Sequence, residues 1–338
     1  MNNGTTNKLR LLFAGSPAIA LPSLEKIAEM AKTGRWILAG VLTNPDKHKG
    51  RGGAAEPCEI GGRAVLLAEE FTALALEAPA ILKFDTLKAE ARAAVARLKP
   101  DLLVCFAYGR IFGPQFMSLF PLGGINVHPS LLPKYRGASP IQEAIFRRDS
   151  VTGVSIQRIA AEMDTGNIIS RTIIPLNGRE TAASLGETAA KEGALLLVEV
   201  LEQFQKQPLP EGIPQQGEVC YCTVLEKKSG RIDWTRSAEE IDAQIRACNP
   251  WPLAHTSHNG QTVNIYEAAP FSGNAPVFSA DSPACAGGVL GIDKKSGILV
   301  QTGSGILAVS LLQYQNRKIL PWQAFLNGAR DFIGSRLV

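Results

Sequence analysis

Five short apolar runs punctuate the first part of the chain: "LRLLFAG" (9–15), "WILAGVLT" (36–43), "AILKF" (80–84), "DLLVCFA" (101–107) and "GINVH" (124–128). Each has the length of a strand, and helical patterns at 18–33, 63–75 and 86–98 separate them. Strands that alternate with helices are how a parallel sheet with crossover helices is written. Further on, "SPIQEAIFRR" (139–148) and 181–206 read as helices, and "TGVSIQRI" (152–159) and "NIISRTIIP" (167–175) as strands. The pattern predicts an α/β, Rossmann-like domain with a mostly parallel sheet over residues 1–207.

The stretch "QKQPLPEGIPQQG" (205–217) has three prolines and no periodicity, so 208–217 is expected to be a linker. Beyond it the pattern changes to short, turn-separated strands: "RIDW", "TVNIYEA", "GGVLGID", "GILVQTG" and "GILAVSLLQ", with one helix near 237–247. That predicts a C-terminal OB-like β-barrel domain over 218–338. At 338 residues, two domains fit the usual range of about 100 to 200 residues each.

Composition excludes more than it identifies. Hydrophobic residues at 45% and charged residues at 20% are ordinary for a globular chain, and a net charge of +4 permits contact with a polyanion without requiring it. The six cysteines are scattered, only Cys220 and Cys222 lie close, and four histidines complete a set too thin for a zinc site. Isolated thiols, an N-terminus without a signal-like apolar region and the lack of a long apolar run lead to the expectation of a cytoplasmic protein without metal. "AGSPAIA" after the first strand lacks the G-x-G-x-x-G spacing of a dinucleotide site. In "NPWP" (249–252), Trp251 between prolines reads as a packing anchor at a domain interface.

The chemistry concentrates in "NVHPSLLPKYRG" (126–137). Asn126 and His128, two apart at a strand end, point to the same face, and the strand ends of open α/β sheets are where ligand crevices form. A lone pair of this kind is also how a hydrogen-bonded core histidine beside a turn asparagine looks. The following "SLLP" sets leucines between Pro129 and Pro133, a composition that suits a loop covered by something flat and apolar. Asp164, in "AEMDTGNII", fits a turn between strands; near the imidazole it would instead hold His128 protonated.

"NVHPSLLPKYRGASPIQEAI" followed by "MDTGNII" is similar to the signature of the folate-dependent formyltransferases, which move a formyl group from 10-formyltetrahydrofolate to an amine. The resemblance implies catalytic roles for Asn126, His128 and Asp164, and folate contacts from Ser130, Leu131, Leu132, Pro133, Tyr108 and Gly109. In that chemistry Asn126 and a protonated His128 would stabilise the oxyanion, while Asp164 favours the imidazolium and relays a proton.

The chain also carries "LLFAGSPAIALPSL", "TNPDKHKGRG", "RIDWTRSAEEIDAQIRACNPWPLA" and "FLNGARDFIGSRLV". These resemble the branch that formylates the α-amino group of methionyl initiator tRNA for translation initiation, and imply a monomer whose C-terminal domain helps hold that tRNA. The branch that formylates UDP-amino sugars shares the "IDW" and "WP" elements and is the alternative; a silent relative that binds without turnover is a further one. Arg51, with Lys47 and Lys49, is the candidate tRNA contact, and Arg63 lies near. The loop departs from the family's basic pattern, with Glu56 and Glu59 where lysines are expected. Residues 218–338 hold 11 Lys and Arg against 10 Asp and Glu, a balance too small for an electrostatic footprint on RNA.

Overall fold

A computed structural model describes residues 8–48, 54–204, 210–273 and 285–338. These form two compact units: the first takes residues up to Pro140, Val151–Pro175 and Gly186–Cys222, the second Ile141–Ser150, Leu176–Leu185 and Thr223–Val338.

The first unit is built on a seven-stranded sheet. In chain order its elements are β1 (Arg10–Gly15), α1 (Leu21–Lys32), β2 (Ile37–Thr43), the short β3 (Lys47–His48) and β4 (Ala55–Glu56), α2 (Glu59–Ala73), β5 (Ala80–Lys83), α3 (Ala89–Leu98), β6 (Leu102–Phe106), α4 (Pro114–Met117), β7 (Gly124–His128) and β8 (Arg136–Gly137). After α5 (Pro140–Phe146), which falls almost wholly in the second unit, come β9 (Val151–Arg158), β10 (Ile168–Pro175), α6 (Ala182–Phe204), of the first unit from Gly186 onward, and β11 (Tyr221–Cys222). The sheet order is β10-β9-β7-β6-β1-β2-β5, with β9 alone running against the rest. From Leu11 onward β1 is buried, as is all of β6, which is why both read as unbroken apolar runs.

The chain reaches β5 on one side of β1 and then returns to β6 on the other, so the strand order reverses between β1 and β6. A crevice opens beyond the carboxyl ends of strands at such a reversal. α2 begins four residues earlier than its apolar periodicity indicates, because the Cys58 thiol caps it by accepting from Gly61 N. Arg63 lies between Glu25 of α1 and Glu70 of α2 and ties the two helices, which removes it as a spare cation for a ligand.

The second unit holds an antiparallel sheet with order β12-β13-β16-β15-β14. α7 (Ala238–Ala247) precedes β12 (Ala254–His258), β13 (Gln261–Pro270), β14 (Val289–Asp293), β15 (Gly297–Gln301), β16 (Ile306–Tyr314), β17 (Leu320–Pro321) and α8 (Trp322–Asn327). No ladder joins β12 to β14 among the described residues. α7 opens on a capping box: Ser237 Oγ accepts from Glu240 N at 3.2 Å and Glu240 accepts from Ser237 N at 3.0 Å.

Two expectations about this unit are corrected. "RIDW" is not a strand: Arg231 makes one bridge to His255, and Asp233 Oδ1 then accepts from Thr235 N at 3.0 Å, a turn that ends the extended backbone. Trp251 is 53% exposed and so is not a buried anchor. β12 escapes a hydropathy reading because two of its buried residues are polar: Thr256 Oγ1 accepts from Trp234 Nε1, and His258 Nδ1 bonds the Tyr314 hydroxyl. Among the described residues no helix is long and apolar enough to cross a membrane.

Candidate active site

β7 delivers Asn126 and His128 to the carboxyl edge of the sheet, and its neighbour β9 aligns Gln157 with Asn126 and Ser155 with His128. Paired residues of adjacent strands share a face, so four polar side chains form one patch inside an apolar sheet. The loop after β9 turns back on this patch. Asp164, with φ at 56°, sits in the left-handed region that short polar residues tolerate, and its carboxylate faces β7.

The carboxylate is held from several sides. Oδ2 accepts from Gly137 N at 2.8 Å, and Oδ1 accepts from Gln157 Nε2 at 2.7 Å and, at 3.4 Å, from Asn126 Nδ2. Oδ1 also stands 3.5 Å from His128 Nδ1. The turn-former and the carboxylate partner are therefore one residue, since the left-handed backbone is what aims the side chain.

His128 is 4% exposed, and its Nε2 lies 2.9 Å from the Tyr135 carbonyl. A carbonyl only accepts, so Nε2 carries the hydrogen and Nδ1 of the neutral ring presents its lone pair toward Asp164. Burial lowers the His128 pKa below the usual imidazole value; the Asp164 charge and the Tyr135 bond oppose this without reversing it. This corrects the expectation of a protonated His128. The ring rests neutral with Nδ1 open to a proton, and an imidazolium formed there would gain the carboxylate beside it.

Of the residues expected to touch folate, Ser130, Leu132 and Pro133 are buried in the protein itself. Ser155 Oγ donates to Ser130 O at 2.7 Å and accepts from Leu132 N at 3.2 Å, so the loop is fastened down onto β9. Half-buried Leu131 packs over Gly153, where a Cβ would come within 2.5 Å of its Cδ2. The exposed leucines expected from "SLLP" are thus drawn inward, because β9 offers an apolar surface and a hydroxyl that satisfies the loop's backbone.

Tyr108 and Gly109 follow β6 at the strand reversal, the place a crevice requires. The Tyr108 ring is buried and stacks on Phe112 at 5.5 Å, its hydroxyl has no hydrogen-bond partner among the described residues, and burial pushes its pKa up to about 12. Only its backbone reaches the edge: Tyr108 O accepts from Asn44 Nδ2 at 3.2 Å, and Arg110 Nε donates to Asn44 Oδ1 at 2.8 Å. Cys105, aligned with Asn126 on the neighbouring strand, is a buried thiol whose pKa is pushed up to about 12 by burial.

Lys47 is exposed on β3 opposite Glu56, while Arg51 and Lys49 lie outside the described residues. Gln157, Gly137, Gln215 and Asn44 were missed from the sequence. For Gln157 a signal exists: "SIQ" repeats on β9 the polar i, i+2 spacing of "NVH" on β7. The contacts of Gln215 and Gly137 depend on distant segments and leave no local trace.

The Formyl transferase family matches residues 14–201, and its C-terminal domain matches residues 224–330. A methionyl-tRNA formyltransferase of Treponema denticola is 43% identical over 326 residues, 96% of this chain and 98% of that protein. Two solved structures share the fold. An N-formyltransferase from Helicobacter canadensis, in complex with folinic acid and dTDP-3-aminofucose, has a TM-score of 0.60 at 20% identity, over 89% of this chain and 98% of that one. A methionyl-tRNA formyltransferase from Clostridium thermocellum has a TM-score of 0.53 at 16% identity, over 79% and 95%. With the relative aligned nearly end to end and both domains matched, the chain belongs to the formyl transferase family, in its methionyl-tRNA formyltransferase branch.

Proposed function

We propose that the protein transfers the formyl group of 10-formyltetrahydrofolate to the α-amino group of methionyl initiator tRNA. The observation that carries this reading is the meeting of Asn126, His128 and Asp164 at the sheet edge beside the strand reversal, in a chain of this family. The amine attacks the formyl carbon and a C–N bond forms. Asn126 Nδ2 donates to the oxygen that gains charge, and His128 Nδ1 takes the proton released by the amine. Asp164 stabilises the resulting imidazolium. Collapse of the intermediate breaks the bond to folate N10, which receives a proton in turn, so the ring returns to its resting state.

The crevice edge at Gly109, Asn44 and Arg110 would receive the folate, its polar groups meeting Tyr108 O and the Arg110 guanidinium. The first domain up to residue 207 is read as catalytic and 218–338 as an aid to tRNA binding, in a cytoplasmic monomer. Lys47 and Arg51 are read as phosphate contacts, and a small positive excess in the second domain leaves most of the electrostatic attraction to the first. Incubation with 10-formyltetrahydrofolate and, separately, methionyl initiator tRNA and nucleotide-linked amino sugars tests the acceptor. Formyl transfer to tRNA alone is expected; transfer to a sugar alone would replace the reading.

A further inference from the structure

The segment from Pro210 to Cys222 lies between the two matched regions, which end at 201 and resume at 224. The sequence predicts a linker at 208–217 and the start of the second domain at 218, yet the 210–222 stretch is bound along its length to the loops around Asn126, His128 and Asp164. Ile213 exchanges two backbone hydrogen bonds of 2.8 Å with Ile168. Arg136 N donates to Cys220 O at 2.9 Å, and the Cys222 thiol donates at 3.5 Å to Tyr135 O, the carbonyl that also takes the His128 Nε2 hydrogen.

At the centre is Gln215. Its Nε2 donates to Asp164 O and to Gly166 O, both at 2.8 Å, and its Oε1 accepts from Arg136 Nη2 at 2.7 Å and Nε at 3.0 Å. One amide thus grips the carbonyls on either side of Thr165 and is itself oriented by a guanidinium fork. The turn it grips has little slack: a Cβ at Gly166 would stand 1.8 Å from Arg158 O. Asp164 adopts a left-handed backbone that needs support from its surroundings.

We infer that Gln215 is a positioning residue for the reaction: through the carbonyls of Asp164 and Gly166 its side chain sets the backbone that aims the Asp164 carboxylate at His128. The inference rests on the proposed catalytic role of Asp164. It follows from direction of bonding. The side chain of Asp164 is held by Gly137 and Gln157, but its main chain is held by Gln215, and a small rotation of that peptide would carry the carboxylate away from Nδ1.

The test compares Gln215→Ala and Gln215→Glu in wild-type and Asp164→Asn backgrounds, with Ile213→Ala, an exposed side chain of the same segment, as control. Gln215→Glu keeps the acceptor for Arg136 but puts an acceptor against two carbonyls, so it discriminates even where the alanine variant fails to fold. In the wild-type background we expect kcat to fall by about tenfold or more with little change in KM for the folate donor, and in the Asp164→Asn background a loss of less than about twofold. Ile213→Ala should match wild type.

A second readout needs no substrate. The ionisable groups about Asp164 are His128 and Cys105, with Arg136 joined through Gln215, and withdrawal of the carboxylate lowers the His128 pKa further by NMR titration. Losses that multiply across the two backgrounds, or an unchanged His128 titration in a folded Gln215→Glu protein, would overturn the inference. If the wild type formylates no tRNA, the acceptor assignment fails and the titration still decides the role of Gln215.

Discussion

Gly137 donates its main-chain N–H to Asp164 Oδ2 at 2.8 Å, while the space where its side chain would be is filled by the Cys222 carbonyl, 2.2 Å from an ideal Cβ. The glycine closing "KYRG" therefore lets three segments meet at one carboxylate. Its φ of 117° is open to glycine and strained for other residues.

Gly137→Ala should accordingly cost stability and activity together. The strain and the displaced strand pair predict a destabilisation of about 1 to 3 kcal/mol, and the shifted carboxylate a fall in kcat. Thermal unfolding and steady-state kinetics measure the two; a variant with unchanged Tm and kcat would show that β8 and β11 can part freely.

His128→Asn should leave a folded protein that binds folate and has lost about 10²- to 10⁴-fold in kcat, because in the proposed reaction Nδ1 takes the proton of the amine. Circular dichroism and folate titration establish the fold and the binding. Near-normal turnover would remove the histidine from the chemistry.

The pH dependence follows from the neutral ring. Since the reactive form has an unprotonated Nδ1, kcat/KM should rise along an acid limb centred below about 6.5, and Asp164→Asn should move that limb lower still, because the carboxylate is what partly offsets burial. A limb centred above the ordinary imidazole value would restore the protonated histidine that the sequence suggested.

Stability carries the same signature. The unfolded chain binds a proton at His128 as pH falls through about 6.5 while the folded ring does not, so unfolding is favoured on the acid side, with a slope of up to about 1.4 kcal/mol per pH unit from this group. The contribution is complete above 6.5 and is lost as pH drops toward the folded pKa. His128→Asn should flatten that part of the stability curve in denaturant titrations.

Tyr108→Phe removes a buried hydroxyl that has no hydrogen-bond partner among the described residues. An unsatisfied group of this kind costs about 1 to 3 kcal/mol, so the variant should melt at the same temperature or higher, with KM for the folate donor unchanged. A raised KM would mean that the hydroxyl reaches the ligand.

On the tRNA side, Lys47→Ala and Arg51→Ala should each raise KM for methionyl initiator tRNA and reduce its salt dependence by about one phosphate contact, leaving the folate donor unaffected. Unchanged salt slopes in both would move recognition to the second domain.

The order of the main strands and helices of the first unit, the strand-end placement of Asn126 and His128, and the candidacy of Asp164 were legible in the chain, because periodicity and i, i+2 spacing are local properties that survive without tertiary contacts. Three features were not. Whether "SLLP" faces outward depended on Ser155, a residue 25 positions from Ser130 that offers the loop a hydrogen bond inside the protein. The protonation of His128 depended on the balance between burial and one carboxylate, and only packing sets the burial. The 210–222 stretch, read as a linker up to residue 217, owes its order to bonds to Tyr135, Arg136, Asp164 and Ile168, partners that exist only once the first unit has folded. Local sequence determined which side chains the strands offer, and long-range contacts decided which of them meet and in what charge state.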